Sequence, residues 1–166
     1  VKDPAVVEKA IDSGCNYLDT AASYQGGRNE EMLGGVLARR RKEVIVATKF
    51  GQAGKKEKII ASVNTSLKRL RTDVIDVIQV HGAGDAAAVK NPAVWEAFDE
   101  MKKAGKVRFL GFTTHEGQAE VLKACVETGK VDTALVVYNS GSPQELTDMM
   151  KKAREALREA EALRRM

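Results

Sequence analysis

The chain has 166 residues and a mass of 18.0 kDa, the size of one ordinary domain. Hydrophobic residues make up 43% and charged residues 30%, which excludes the disordered, collagen-like and coiled-coil classes. The formal net charge is +4, but only 5% of residues are aromatic, too few to interleave with the basic runs as nucleic-acid stacking requires. The composition predicts a soluble globular domain without a nucleic-acid partner.

The spacing of the cysteines and the lack of targeting signals favour a cytoplasmic location for the protein. No apolar run approaches the roughly 20 residues of a membrane span, and the first residues lack the apolar stretch of a secretory signal. Cys15 and Cys125 lie far apart and form no CxxC pair, and the histidines, His81 and His115, do not cluster with them. We expect a cytoplasmic protein with no disulfide, metal site or membrane partner.

Segments typical of helices and strands alternate along the chain. Apolar, β-branched runs predict five strands, at 16–19, 43–49, 74–81, 107–113 and 133–139. Helical periodicity predicts six helices, at 4–13, 29–41, 55–71, 91–104, 116–128 and 143–166. Three polar residues each precede a proline, which predicts side-chain caps at helix starts: Asp3, Asn91 and Ser142.

The last predicted helix, 143–166, is unusually long. Apolar residues recur along it at spacings of three and four, at Leu146, Met149, Ala153, Leu157, Ala160 and Leu163. Such a stripe predicts packing of this helix on the sheet. Contact with a partner helix in a coiled coil is the alternative.

Regular βα alternation predicts an α/β fold with a parallel sheet, because parallel strands need crossover connections. Two architectures satisfy the pattern. One is a five-strand portion of a TIM-type (β/α)8 barrel, and the other is an open, doubly wound flavodoxin-like sheet.

Polar side chains stand where the predicted strands end. They are Asp19, Lys49 and His81 at the ends of the first three strands, Thr113 and Thr114 at the end of the fourth, and Tyr138 and Asn139 at the end of the fifth. The carboxyl ends of strands in a parallel barrel open onto one face, where barrel enzymes hold their active sites. The pattern therefore predicts a site at these ends.

Four motifs in this order resemble the aldo-keto reductase superfamily. They are GCNYLDTAASYQGGRNEEMLG, ATKFG, SLKRLRTDVIDVIQVH and GKVRFLGFTTH, and the resemblance extends to about residue 150. It implies a (β/α)8 barrel that reduces an aldehyde or ketone with NADPH. Its catalytic positions map onto Asp19, Tyr24, Lys49 and His81.

The resemblance also gives these residues roles. Carbonyl reduction needs a proton at the oxygen, and an unassisted tyrosine, with a pKa near 10, is a weak acid. A protonated Lys49 beside Tyr24 would favour the phenolate, and Asp19 would keep that lysine charged and oriented. His81 would hydrogen-bond the carbonyl oxygen of the substrate.

Cofactor binding is implied at the ends of the fourth and fifth strands. Thr113 and Thr114 stand where members of the superfamily place a Ser-Asn pair that binds the nicotinamide carboxamide, and Asn139 is assigned to the same site. Leu135 occupies a position at which many members carry a glutamine. One carboxamide contact is therefore expected to be missing.

The main departure from the superfamily is length, since a (β/α)8 barrel usually needs about 250 residues. The motifs match the second through sixth strands of the barrel, so we expect one truncated domain over 1–166. The loops that grip the NADPH phosphates belong to the last two strands, which predicts weak or lost cofactor binding. Open sheet edges predict a homo-oligomer or association with the remainder of the barrel.

Two other functions are compatible with the sequence. One is non-catalytic: a self-associating barrel fragment or an engineered scaffold. The other is an aldolase-like lyase in which Lys49 forms a Schiff base, with Asp19 and Tyr24 moving protons.

Overall fold

The computed structural model describes residues 1–51 and 54–164. Five strands form one parallel sheet in the order β1-β2-β3-β4-β5. They are β1 (Tyr17–Asp19), β2 (Ile45–Gly51), β3 (Ile75–His81), β4 (Val107–Thr114) and β5 (Thr133–Val136). A doubly wound sheet reverses its strand order at a switch point, and this sheet does not. The sheet is therefore a curled half-barrel, and the open flavodoxin-like alternative is wrong.

Helices connect the strands. They are α1 (Pro4–Asp12), α2 (Arg28–Arg40), α3 (Lys56–Leu70), α4 (Ala86–Lys90), α5 (Pro92–Lys103), α6 (Gln118–Thr128) and α7 (Gln144–Arg164). The six predicted helices all form and begin within two residues of the predicted positions; the last two residues predicted for the terminal helix, 165–166, lie outside the described part. Helix α4 was not predicted, because its five residues are too few to show a helical period.

Two of the three predicted helix caps are present. The side chain of Asp3 accepts a hydrogen bond from the Ala5 amide at 2.9 Å, and that of Asn91 accepts one from the Ala93 amide at 3.0 Å. The prediction for Ser142 is wrong. Its hydroxyl accepts a hydrogen bond from the Asn139 amide at 2.9 Å, because the chain makes a turn there before α7 begins.

The core lies between the sheet and its helices. Alternate residues of the central strands pack there, among them Val46, Phe50, Ile78, Val80, Leu110 and Phe112, together with helix residues such as Val36, Val63 and Phe98. At Gly34 the backbones of α2 and α3 approach so closely that a Cβ would overlap the carbonyl oxygen of Arg69. This contact fixes the spacing of two helices that flank the site described below.

The opposite face of the sheet is open within the described part of the chain. Large apolar side chains on it are exposed: Tyr17 by 45%, Ile45 by 44%, Phe109 by 44% and Leu135 by 52%. In a closed barrel these positions point inward, and here they form an apolar concave surface.

The two C-terminal elements differ in part from expectation. Strand β5 ends at Val136, three residues before its predicted end, so Tyr138 and Asn139 lie in the following loop. In α7, Leu146 is buried, whereas Met149 and Ala153 are partly exposed, and the side chains of Leu157, Ala160 and Leu163 lie outside the described part. None of the helices among residues 1–51 and 54–164 has the length and apolar character needed to cross a membrane.

Candidate active site

An ion pair between a buried lysine and a partly exposed carboxylate joins the ends of β1 and β2. Asp19 pairs in register with Ala47, and Lys49 lies two residues farther along β2 on the same face. The Lys49 Nζ donates hydrogen bonds to the Asp19 carboxylate and, at 2.7 Å, to the Thr20 carbonyl oxygen. Only 2% of Lys49 is exposed, and these partners offset the cost of removing its charge from water.

A neighbouring amide completes the surroundings of Asp19. Gln79 pairs in register with Lys49, and its Nε2 donates to Asp19 Oδ1 at 3.1 Å. Each carboxylate oxygen of Asp19 thus has its own donor. Gln79 was not among the predicted site residues, although a polar side chain within an apolar strand, two residues before His81, could have indicated it.

Tyr24 lies beside this ion pair. It begins a 3₁₀ turn, Tyr24–Gly27, in the loop that follows β1. The Lys49 Nζ is 5.2 Å from the centroid of the tyrosine ring. The ring also meets the imidazole of His81 edge-on, with centroids 5.8 Å apart and an interplanar angle of 81°. Because Tyr24 is 41% exposed, its phenol is accessible from the open side of the sheet.

His81 ends β3 and is partly buried. Burial, followed by the positive charges of Lys49 and His115, lowers the pKa of His81 despite the opposing effect of Asp19. The imidazole is therefore neutral at neutral pH. Ser23 Oγ lies 3.5 Å from His81 Nδ1. A hydroxyl that donates to Nδ1 leaves the proton on Nε2, where the ring can donate to a ligand. Ser23 was not predicted as a site residue.

Of the predicted cofactor-binding residues, Thr113 and Thr114 end β4, and Asn139 lies in the loop after β5. Thr113 Oγ1 accepts from the Gly82 amide at 3.0 Å and donates to the Val80 carbonyl at 3.4 Å. Thr114 Oγ1 donates to the Glu116 carbonyl. Thr113 lies on the open face of the sheet and keeps acceptor capacity for the NH₂ group of a carboxamide, whereas Thr114, the next residue of β4, faces the opposite side and is 2% exposed.

Asn139 offers the complementary group. Its Oδ1 accepts a hydrogen bond from the Gly141 amide at 2.9 Å, and its side-chain NH₂ is a donor of the kind a carboxamide oxygen requires. Leu135 is paired with Thr113 and offers only apolar contact. Thr113 and Asn139 thus fit a carboxamide, with fewer contacts than the superfamily pattern implies. Among the described residues, no three His, Cys, Asp or Glu side chains are grouped to hold a metal ion.

Comparison with known proteins decides the family. The model of the aldo/keto reductase family matches residues 2–158. The chain belongs to the aldo/keto reductase family. This confirms the resemblance seen in the four motifs and the assignment of the half-barrel. The match also includes most of α7, beyond the region that the motifs covered.

Individual relatives agree with this family assignment. The chain is 33% identical over 146 residues to the uncharacterized oxidoreductase YqkF of Bacillus subtilis, covering 81% of this chain and 46% of YqkF. It is 31% identical over 148 residues to the aldo-keto reductase yakc [NADP(+)] of Schizosaccharomyces pombe, covering 81% of this chain and 42% of yakc. The chain thus spans about half the length of the curated relatives it matches.

Solved structures show the same relationship. An aldo/keto reductase from Klebsiella pneumoniae, in complex with NADP and acetate, is 26% identical and superposes with a TM-score of 0.77. The superposition covers 94% of this chain and 55% of the Klebsiella protein.

Proposed function

We propose that this chain carries the proton-donating site of an NADPH-dependent reductase of small aldehydes or ketones. The observation that supports the proposal is the convergence of Asp19, Tyr24, Lys49 and His81, from three strands and one loop, into a single contact chain. Lys49 contacts Asp19 and lies 5.2 Å from the Tyr24 ring, which in turn lies 5.8 Å from His81. In aldo/keto reductase folds such carboxyl ends of strands form the catalytic face.

Each residue has a distinct role in this proposal. The Tyr24 hydroxyl releases its proton to the carbonyl oxygen of the substrate, which becomes the alcohol oxygen, and the electron pair of the O–H bond stays on the phenolate. The Lys49 ammonium stabilises that phenolate through space. Asp19 and Gln79 hold the ammonium in place. His81, neutral and with a proton on Nε2, donates a hydrogen bond to the same carbonyl oxygen and orients it.

NADPH is the cofactor that we propose, and when bound it supplies the hydride that the carbonyl carbon receives. A relative whose name specifies NADP(+) and a solved neighbour in complex with NADP support this choice. Thr113, on the open face, would accept from the carboxamide NH₂, and Asn139 would donate to its oxygen. The donor and the acceptor at these two positions would orient the nicotinamide.

The proposal is tested by binding and turnover of the purified chain. We expect NADPH fluorescence to change saturably on addition of the chain, and NADPH absorbance to fall when 4-nitrobenzaldehyde is added as a reactive probe aldehyde. Lys49→Met serves as the inactive control. Absence of aldehyde reduction at saturating NADPH would contradict the proposal.

The Schiff-base alternative is less consistent with the geometry. A Schiff-base lysine must reach the substrate carbonyl, but Lys49 is 2% exposed and its Nζ already donates to Asp19 and Thr20. Borohydride treatment in the presence of an aldehyde distinguishes the two functions. Covalent capture of the aldehyde on Lys49 would favour the lyase.

Self-association is a second candidate, and the open sheet face favours it. Four large apolar side chains are exposed on this face, and exposed apolar patches mark interaction sites. Sedimentation velocity tests it: a monomer at every concentration examined would exclude a homo-oligomer.

A further inference from the structure

We propose that the buried Arg69–Glu30 ion pair is a positioning device for Tyr24. It lies behind the loop 20–27 that carries the tyrosine and touches none of the four proposed catalytic side chains. The effect of this ion pair on catalysis rests on the proposed reductase function. Its effect on the position of Tyr24 does not depend on that function and can be measured separately.

Glu30 is an unusual charge to find inside the molecule. Its side chain is fully buried, at 0% exposure, near the start of α2. Thr48 Oγ1 donates to Glu30 Oε1 at 2.7 Å, and Arg69 Nη1 lies 3.3 Å from Glu30 Oε2. A carboxylate in this position is tolerated because both of its oxygens have donors. It therefore ties α2 to β2 and to the end of α3.

Arg69 extends this tie to the Tyr24 loop. The same Nη1 that faces Glu30 donates to the Ala22 carbonyl oxygen at 3.4 Å. On its other side, the Ala22 amide donates to the Lys49 carbonyl oxygen at 3.0 Å. The Ala22 residue is thus held between β2 and the guanidinium, two residues before Tyr24.

The backbone of the loop is shaped around the guanidinium. Gln25, Gly26 and Gly27 all have left-handed backbones, with φ of 54°, 66° and 94°. The left-handed backbone at Gly27 favours glycine, and a Cβ there would require the guanidinium of Arg69 to move. The guanidinium of Arg69 therefore lies against the loop on both sides of Tyr24, at Ala22 and at Gly27.

Removal of Arg69 should therefore let Tyr24 drift from Lys49 and His81 without removing any group that meets the substrate. We expect Arg69→Met to lower kcat for aldehyde reduction by about tenfold, a size that small misplacements of reacting groups can produce. KM should change little, because the pair does not touch the substrate. Arg69→Lys keeps a donor and a charge and should recover part of the rate. Arg71→Met, an exposed arginine two residues away, is the matched control.

NMR of the histidines gives a readout that a general loss of stability would not move. The sequence contains two histidines, His81 and His115, so their ring resonances are readily assigned. The ring of Tyr24 lies edge-on to His81 and influences its Hε1 resonance. We expect that resonance to shift in Arg69→Met, well below the unfolding temperature, and to return toward its original position in Arg69→Lys.

The outcomes separate the two proposals. If the unmodified chain reduces no aldehyde, the reductase function fails, and the His81 resonance alone decides the positioning role. If the His81 Hε1 resonance and kcat are both unchanged in Arg69→Met, the positioning role is wrong. Arg69→Met leaves Glu30 buried without its partner and can therefore fail to fold. In that case the double variant Arg69→Met/Glu30→Gln, which removes both charges, is used instead. An unchanged His81 resonance in the double variant overturns the proposal.

Discussion

Each end of the sheet contains a carboxylate that is paired with a cation, but Asp76 is buried, whereas the side chain of Asp19 is 32% exposed. At the amino ends of the strands, Asp76 accepts from Arg41 at 2.6 Å, from Arg108 at 2.8 Å and from the Val46 amide at 2.8 Å. At the carboxyl ends, Asp19 accepts from Lys49 and Gln79.

The difference lies in what each cluster leaves for a ligand. Arg41 also donates hydrogen bonds to the Thr72 hydroxyl and to the carbonyl oxygens of Val44 and Val74. Its side chain therefore joins neighbouring segments and has a structural role. The cluster around Asp19 instead directs its cation toward an exposed phenol. This matches the division of barrel folds into a stability face and a catalytic face. Substitutions around Asp19 should therefore lower the catalytic rate, and substitutions around Asp76 should lower the free energy of unfolding.

The largest effect is expected for Tyr24→Phe. Loss of the proton donor should lower kcat for carbonyl reduction by about 10²-fold or more, in the range of general acid catalysis, while the unfolding midpoint stays unchanged. Tyr17→Phe is the control, since Tyr17 is similarly exposed on the open face but lies at the amino end of β1. Steady-state rates decide, and equal losses in the two variants would contradict the assignment.

At the other end of the sheet, Asp76→Ala should destabilise the fold. Loss of this carboxylate leaves the partly buried Arg41 without its ionic partner, which should lower the free energy of unfolding by about 3 kcal/mol. Urea denaturation measures the change. Glu127→Ala, which removes an exposed partner of Lys90, should cost less than about 1 kcal/mol. A lowered kcat in the folded Asp76→Ala protein would break the division between the two ends.

Gln79→Leu should have an intermediate effect on catalysis. Without the Gln79 amide, one oxygen of Asp19 loses its donor and the orientation of Lys49 weakens, so we expect kcat to fall by about tenfold. Gln118→Leu, a change of the same type at the start of α6, should leave kcat unchanged. If Gln79→Leu keeps the full rate, the amide has no part in positioning the ion pair.

The smallest expected effect is a pH dependence of stability that comes from His81. Burial lowers the pKa of His81, so near pH 6.5 the unfolded chain takes up a proton that the folded chain does not. The free energy of unfolding should therefore fall as the pH drops through about 6.5 and level off below the folded-state pKa. Urea denaturation of the unmodified chain and of His81→Gln measures this component. An identical pH slope in both would show that His81 does not contribute.

Much of the fold could be predicted from sequence because its signals are local. Apolar β-branched runs gave all five strands, and caps such as Asp3 and Asn91 gave helix starts. The length of β5 could not be predicted, since the apolar run continues through Val137, beyond the point where pairing with β4 ends at Val136. The half-barrel was one of two predicted alternatives. Strand order distinguishes them, and it depends on contacts between distant segments.

The site was predictable to the extent that it is encoded in single motifs. Asp19, Tyr24, Lys49 and His81 were found at strand ends or in the matching motif, and the structure brings them together. Gln79 stands out as a polar residue in an apolar strand, but its hydrogen bond to Asp19 depends on strand register, and the contact of Ser23 with His81 depends on loop geometry. The cytoplasmic location, the oligomeric state and the catalytic and cofactor-binding roles remain predictions.

The most direct test of the proposed proton-donating unit is the rate of carbonyl reduction by Tyr24→Phe, Lys49→Met and the double variant. Groups that act as one unit have strongly non-additive effects. We predict that the double variant is no slower than the slower of the two single variants. Losses that multiply in the double variant would show that Tyr24 and Lys49 act independently and would contradict the proposal.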